Sequence, residues 1–184
     1  MIGIGCEDIW ENGGDEYGEF PTNMIQKLLQ DKFIIQWQND FSLQSLPDKI
    51  LRAYKKFKSK FELEKYLIVL TDVIKRKNFS KLRISAHNLN IEVGRHKRPR
   101  KVPEDERICD ECKEIENEFH YVTKCKKFNE ARKILFKNMS EIFVHFERLS
   151  LDDKFIMLMK SEDVETISHM NKFISETVKI RGKL

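Results

Sequence analysis

The sequence is poor in the residues and patterns that mark several large classes of protein. It has four prolines and seven glycines among 184 residues, too few for a fibrous or largely disordered chain. No apolar run exceeds five residues, the length of the run from Tyr66 to Leu70, whereas a membrane helix needs about 20. No lysine or arginine precedes residue 21, which is unlike the start of a secretory signal peptide. We therefore expect a soluble protein of the nucleus or cytoplasm without a membrane partner.

The patterns that carry enzyme chemistry are also missing from the sequence. No nucleophile is paired with a base, and no glycine-rich phosphate loop lies between a strand and a helix. A Tyr/Phe-x-Asp-Asp polymerase motif is absent as well, because Asp152-Asp153 follows Leu151 and better suits the start of a helix. We therefore expect that the protein is not an enzyme and that it has no catalytic residue.

The four cysteines are too few and too unevenly placed for a disulfide framework. Cys6 stands alone, whereas Cys109, Cys112, His120 and Cys125 read C-x2-C-x7-H-x4-C. Three thiolates and one imidazole form the closed tetrahedral ligand set of structural zinc. Such a set leaves no open position for water, so Zn²⁺ would stabilise the fold and would not hydrolyse a substrate. The alternative is three incidental thiols beside a surface histidine.

Two aromatic residues and two further histidines lie near this quartet in the sequence. Phe119 and Tyr121 flank His120 and could stack on bases, with packing over the metal as the alternative. We expect Phe119 to be buried and keep Tyr121 as a candidate nucleic-acid contact. His87 is expected on a helix face and His96 in a basic linker.

Charge is divided sharply along the chain. Residues 1–20 carry a net charge of −6, residues 21–101 carry +12 and residues 102–184 carry −2. The basic excess favours a polyanionic partner, RNA or DNA, and a solvated lysine-rich surface is the alternative. The candidate phosphate contacts are Arg95, Lys97, Arg98, Arg100, Lys101, Arg107, Lys124, Lys126 and Lys127. We expect little sequence preference, because nothing resembles a base-reading helix.

Apolar residues recur at helical spacing over most of the chain, which predicts a mainly α fold. We expect a helical bundle with a small zinc-stabilised CCHC module and a disordered acidic N-terminus. The predicted regions are a flexible acidic leader at 1–21, a basic helical region at 22–91, a basic linker at 92–105, the zinc module at 106–137 and C-terminal helices at 138–184.

Individual helices are predicted from the same periodicity and from capping residues. The first is capped by Thr22-Asn23 and runs from Met24 to about Trp37. The others run from Pro47 to about Lys58, from Glu62 to Lys75, from Asn78 to about Leu89, from Glu118 to Lys137, from Leu151 to Lys160 and from Glu162 to Ile180. A break is expected from Asp40 to Pro47. The only strands expected are those of a short hairpin around the clustered cysteines.

Several stretches of the chain carry a family resemblance. They are Arg83-Ile-Ser-Ala-His-Asn-Leu-Asn-Ile-Glu-Val-Gly-Arg95, Glu106-Arg-Ile-Cys-Asp-Glu-Cys112 and Ile115-Glu-Asn-Glu-Phe-His-Tyr-Val-Thr-Lys-Cys125, with Trp37-Gln-Asn-Asp40, Tyr54-Lys-Lys-Phe-Lys58 and Glu64-Lys-Tyr-Leu67 upstream. Together they resemble the C-terminal region of non-LTR (LINE-type) retrotransposon reverse transcriptases over about residues 36–137. In that family the region follows the polymerase and carries a cysteine- and histidine-rich zinc module.

The resemblance implies that the quartet binds zinc and that the basic residues contact phosphate. The family's tail is thought to help its enzyme hold RNA or target DNA, and it brings no catalytic residue to this chain. The chain would then be a remnant or domesticated fragment of a transposable element. Two alternatives remain open, a zinc-stabilised protein-interaction scaffold and an element relic without a selected function.

Overall fold

The described part of the chain is mainly α-helical, as predicted. The computed structural model describes residues 22–42 and 53–184, which fall into two units divided after Pro47. These residues form eight α-helices: α1 (Thr22–Ser42), α2 (Lys65–Val69), α3 (Val73–Arg83), α4 (Asn90–His96), α5 (Glu118–Thr123), α6 (Asn129–Ile142), α7 (Leu151–Lys160) and α8 (Val164–Arg181). Short 3-10 turns lie at Tyr54–Lys56, Glu104–Glu106, Lys126–Phe128 and Phe146–Arg148. No described helix is both long enough and apolar enough to cross a bilayer.

The first unit contributes helix α1, which begins at Thr22, so the Thr22-Asn23 pair predicted to cap the helix ahead of Met24 lies within it. It continues to Ser42, so no break occurs at Asp40, and the rest of the expected break, residues 43–47, lies outside the described residues. Neither proline nor glycine occurs within α1, and nothing in its backbone chemistry stops the helix earlier. The predicted leader, Cys6 and the predicted helix start at Pro47 lie outside the described residues.

Between Ala53 and the first cysteine of the quartet, the helices of the second unit are shorter than the periodicity predicts. The helix expected to reach Lys58 is, over its described part, a single 3-10 turn. The helix expected from Glu62 to Lys75 is two helices, α2 and α3, because Asp72 is extended and its carboxylate accepts the backbone N–H groups of Ile74 and Lys75. This side chain caps a new helix at the point where the old one was expected to continue.

The helix expected to begin at Asn78 is also wrong, because Asn78 lies within α3. After α3 the chain turns through Ser85, whose φ of 57° lies in the left-handed region. Helix α4 then runs to His96, so the irregular basic segment begins at Lys97 and not at Glu92. The Arg98–Pro99 peptide within it is cis.

The C-terminal helices form the centre of the second unit. Helix α8 packs against α2, α3, α6 and α7, while α5 packs against α7. Val122, Met139, Met159 and Met170 are fully buried between them. The predicted helices α7 and α8 are confirmed, with Ser150 and Asp163 as side-chain N-caps. The single helix expected over Glu118–Lys137 is instead α5 and α6, separated by a turn that contains Cys125.

Candidate metal centre

The first two predicted ligands lie in a tight turn, and the expected hairpin is present as a single antiparallel bridge between Ile108 and Ile115. Within the turn, the N–H of Cys109 donates to the carbonyl of Glu114 at 2.7 Å, and the N–H of Lys113 donates to the carbonyl of Cys109 at 2.9 Å. Lys113 reverses the chain with a left-handed φ of 59°. These local bonds bring the two cysteines of the C-x2-C pair to one side of the turn.

The other two ligands come from a short helix and its exit. Asn117 caps α5 by accepting the backbone N–H of His120 at 2.9 Å, which fixes His120 in the first turn of the helix. The N–H of Cys125 then donates to the carbonyl of His120 at 2.8 Å, just past the end of α5. The H-x4-C spacing therefore spans one helix and the turn that ends it.

The four predicted ligands converge on one point. Their ligand atoms all lie within 4.8 Å of one another. The sulfur of Cys125 is 3.8 Å from that of Cys109 and 4.0 Å from that of Cys112. A tetrahedral ion with metal–sulfur bonds of about 2.3 Å separates its sulfur ligands by about 3.8 Å. The four residues are thus close enough to hold a metal ion.

The chemistry of the donor atoms fits a metal better than a hydrogen-bond network. Both ring nitrogens of His120 are buried without a hydrogen-bond partner among the described residues, and Glu114 lies 3.5 Å from Nδ1. Burial lowers the pKa of His120, which keeps the ring neutral and able to donate an electron pair. Burial raises the pKa of Cys125 to about 12, so a cation must replace its proton before it can act as a thiolate.

A buried arginine that sequence reasoning missed lies beside the sulfur atoms. Arg132 donates through Nη2 to the carbonyl of Cys125 at 2.7 Å, while its Nη1 is buried without a hydrogen-bond partner in the described structure. Its charge acts on the thiols of Cys125 and Cys112. Three thiolates around a divalent ion carry a net charge of −1, which this guanidinium offsets. The signal in the sequence is an arginine on the apolar face of α6, next to Ala131.

Burial of the two aromatic residues beside His120 differs from the prediction. Tyr121 is 1% exposed, its ring packs edge-on against Phe128 and Phe173, and its hydroxyl pairs with that of Thr177 in α8. The expectation that Tyr121 contacts a base is therefore wrong, because the ring is part of the core. Phe119, expected to be buried, is only half-buried, and its ring lies 5.3 Å from the Lys124 ammonium.

The expected helix-face position of His87 is also wrong, since the residue lies in the loop before α4. Its Nε2 is 2.9 Å from the carboxylate of Glu118, and both side chains are buried. His96, assigned to the basic linker, is instead the last residue of α4.

The predicted phosphate contacts divide into buried and exposed groups. Arg107 is buried and donates to the carbonyls of Ile91 and Val102, so the expectation that it contacts phosphate is wrong. Arg95 is half-buried and forms an ion pair with Glu92 at 2.7 Å. The exposed members of the predicted set are Lys97, Arg98, Arg100, Lys101, Lys124, Lys126 and Lys127.

Comparison of the chain with protein-family models, with curated proteins and with solved structures gives no match. The assignment of the metal centre therefore depends on its own geometry. The resemblance to the retrotransposon enzymes stays a prediction from the sequence.

Proposed function

We propose that this chain is a non-catalytic, zinc-stabilised module that binds RNA or single-stranded DNA without sequence preference. The observation that carries the proposal is the convergence of Cys109, Cys112, His120 and Cys125 on one point within a chain segment rich in exposed cations. The resemblance to the tail of LINE-type reverse transcriptases supports the same function. On that view the chain is a remnant or domesticated fragment of such an element.

Zinc is the metal that this donor set favours. Thiolate and imidazole ligands together select Zn²⁺ over the hard cations Mg²⁺ and Ca²⁺, which prefer oxygen. A set of three sulfurs and one nitrogen is complete, so the ion would hold the hairpin to α5 and take no part in a reaction. Because Cys109 and Cys125 are nearly fully buried, folding of residues 108–125 would depend on the ion.

The exposed cations on both sides of the quartet support a polyanionic partner. One group, Lys97 to Lys101, precedes the hairpin, and the other, Lys124 to Lys127, surrounds the last ligand. On a single strand, each neutralised phosphate contributes about −0.7 to the slope of log affinity against log salt. A contact of about five phosphates would thus give a slope near −3.5.

A second candidate function is a zinc-stabilised scaffold for another protein. The observation that favours it is a group of exposed apolar side chains on and around α2 and α3, namely Leu63, Ile68, Val73 and Ile74. Where exposed apolar side chains form one surface patch, the patch is typical of protein interaction sites. Binding of a protein partner that does not weaken with salt would support this function over the first.

The experiment that tests the proposal measures metal and RNA binding on the same samples. Zinc per chain is determined for the wild type, for His120→Ala and for His145→Ala, an exposed histidine that serves as the matched control. Binding of a fluorescent single-stranded RNA is then followed at 50 and 200 mM salt. We expect one zinc per chain, lost only in His120→Ala, and RNA binding that falls steeply with salt.

Other outcomes separate the two parts of the proposal. Zinc without salt-dependent RNA binding would contradict the nucleic-acid function and favour the protein scaffold. Absence of zinc from the wild type would contradict the metal centre itself.

A further inference from the structure

The irregular segment after α4 is a closed loop and not a free linker. The N–H of Val102 donates to the carbonyl of Gly94 at 3.0 Å, which returns the chain to the helix it has just left. We call residues 97–101 the basic loop. All four of its charged side chains are exposed, so the closure leaves them accessible.

The base of the basic loop is held by a buried arginine. The guanidinium of Arg107 donates through Nε to the carbonyl of Val102 at 2.9 Å and through Nη1 to that of Ile91 at 3.0 Å. It therefore joins the residue after the loop to the helix before it. A Cβ added at Gly94 would lie 2.7 Å from Cγ of Arg107, so the glycine makes room for this side chain.

The closed loop places three of its four cations around one cleft. Lys97, Arg100 and Lys101 line a cavity of about 210 Å³ together with Val102, Pro103 and Glu106. Three positive charges against one negative charge make the cleft a site for an anion. Because the loop is already closed, binding would cost less conformational entropy than the ordering of a free basic strip.

We propose that this cleft is a preformed seat for the phosphodiester backbone of a single-stranded nucleic acid, with Arg107 as its positioning residue. The inference rests on the proposed function and adds the place and the manner of binding. A cleft of about 210 Å³ has room for phosphate groups of a nucleic-acid backbone, and the single-stranded form of the ligand is taken from the proposed function. Arg107 itself does not touch the ligand, since both of its bonds hold the loop.

The experiment uses the full zinc-loaded chain and a labelled 12-nucleotide single-stranded RNA. Arg107→Lys keeps the charge but loses the two-carbonyl clamp, and Gly94→Ala keeps the charge and pushes against the clamp. We expect each to weaken RNA binding about fivefold at 100 mM salt, with zinc content unchanged. The pair Arg100→Gln/Lys101→Gln should also lower the salt slope by about 1.4, whereas the control pair Lys133→Gln/Lys137→Gln on α6 should change binding little.

The outcomes distinguish this inference from the proposed function. If the wild type fails to bind RNA, both are overturned. Suppose instead that the wild type binds RNA and that Arg107→Lys and Gly94→Ala, both with full zinc, bind it as tightly as the wild type does. The cations would then act as a flexible strip, and only the preformed seat would be overturned. Equal displacement of the RNA by polyglutamate or by duplex DNA would overturn the assignment of the cleft to a single-stranded phosphodiester backbone.

Discussion

Arg181, in the last turn of α8, forms a two-pronged ion pair with Glu116, which lies between the C-x2-C turn and α5. Nη2 of Arg181 is 3.0 Å from Oε2 of Glu116 and also donates to the carbonyl of Asn88 at 2.9 Å. Glu116 in turn accepts the backbone N–H of Asn90 at 2.7 Å. The two residues are 65 positions apart, and their pairing fastens the end of the chain to the segment that carries the ligands.

Breaking this ion pair should destabilise the protein strongly. Arg181→Met leaves the carboxylate of Glu116 buried without a cation, which we expect to lower the free energy of unfolding by about 3 kcal/mol. Urea unfolding of the metal-loaded chain measures the change. Lys179→Met is the matched control, since it removes an exposed pair with Glu176 and should cost about 0.5 kcal/mol or less. Equal effects of the two substitutions would contradict the prediction.

Removal of the buried charge beside the cluster should weaken metal binding. Arg132→Met takes away the cation that offsets the thiolates, and we expect metal affinity to fall about 10- to 100-fold. Competition with a chromophoric chelator measures the affinity. Lys133→Met, one residue away and exposed, should leave it unchanged. An Arg132→Met chain that holds its metal as tightly as the wild type would show that Arg132 only fills space.

The left-handed residue in the C-x2-C turn should prefer glycine. Lys113 adopts a φ of 59°, which costs a side-chain-bearing residue about 1–2 kcal/mol, while glycine costs about 0.5–1 kcal/mol of extra chain entropy. Lys113→Gly should therefore keep the metal and raise stability by about 0.5 kcal/mol. Lys113→Val, whose branched side chain resists this conformation, should lower it. Thermal unfolding ranks the two variants by stability. A valine variant more stable than the glycine variant would contradict the left-handed conformation of Lys113.

The cap of α8 gives a pH-dependent prediction. Hydrogen bonds from the backbone N–H and the hydroxyl of Thr166 lower the pKa of Asp163 below its ordinary value. A lowered pKa means that the charged cap stabilises the fold above its unfolded pKa and loses this effect as pH falls through its folded pKa. Asp163→Ala should cost about 1 kcal/mol, equally at pH 7 and pH 5. A carboxyl resonance of Asp163 that titrates at or above the ordinary pKa of an aspartate would contradict this.

The opposite charges of the first two chain segments suggest an intramolecular competition for the basic residues. Residues 1–20 carry −6 and residues 21–101 carry +12, so deletion of residues 1–20 should tighten RNA binding at low salt. The effect should be modest at physiological salt, where charges are screened over about 8 Å. Anisotropy titrations at both salt concentrations measure it, and neutralisation of the six acids in the full chain should have the same effect as the deletion. Unchanged affinity for RNA at low salt would contradict the intramolecular competition.

The sequence by itself determined the cluster of four candidate ligands and two of the helices, α7 and α8. All four ligands fall within residues 109–125, and a tight turn followed by one short helix is enough to bring them together. Such local structure is set by hydrogen bonds between residues close together in the chain. The spacing of the ligands in the sequence is therefore enough to predict it. The same holds for α7 and α8, where a cap and an unbroken apolar stripe coincide.

The tertiary structure alone decided which side chains near the four candidate ligands are buried and which are exposed. Tyr121 is buried because α8, with Phe173 and Thr177, covers that side of α5, and Arg107 is buried because it closes a loop back onto α4. Periodicity shows that a helix has an apolar face, but it does not show which distant element will cover it. Side chains at the edge of such a face are therefore assigned to the core or to the surface only by contacts between residues far apart in the chain.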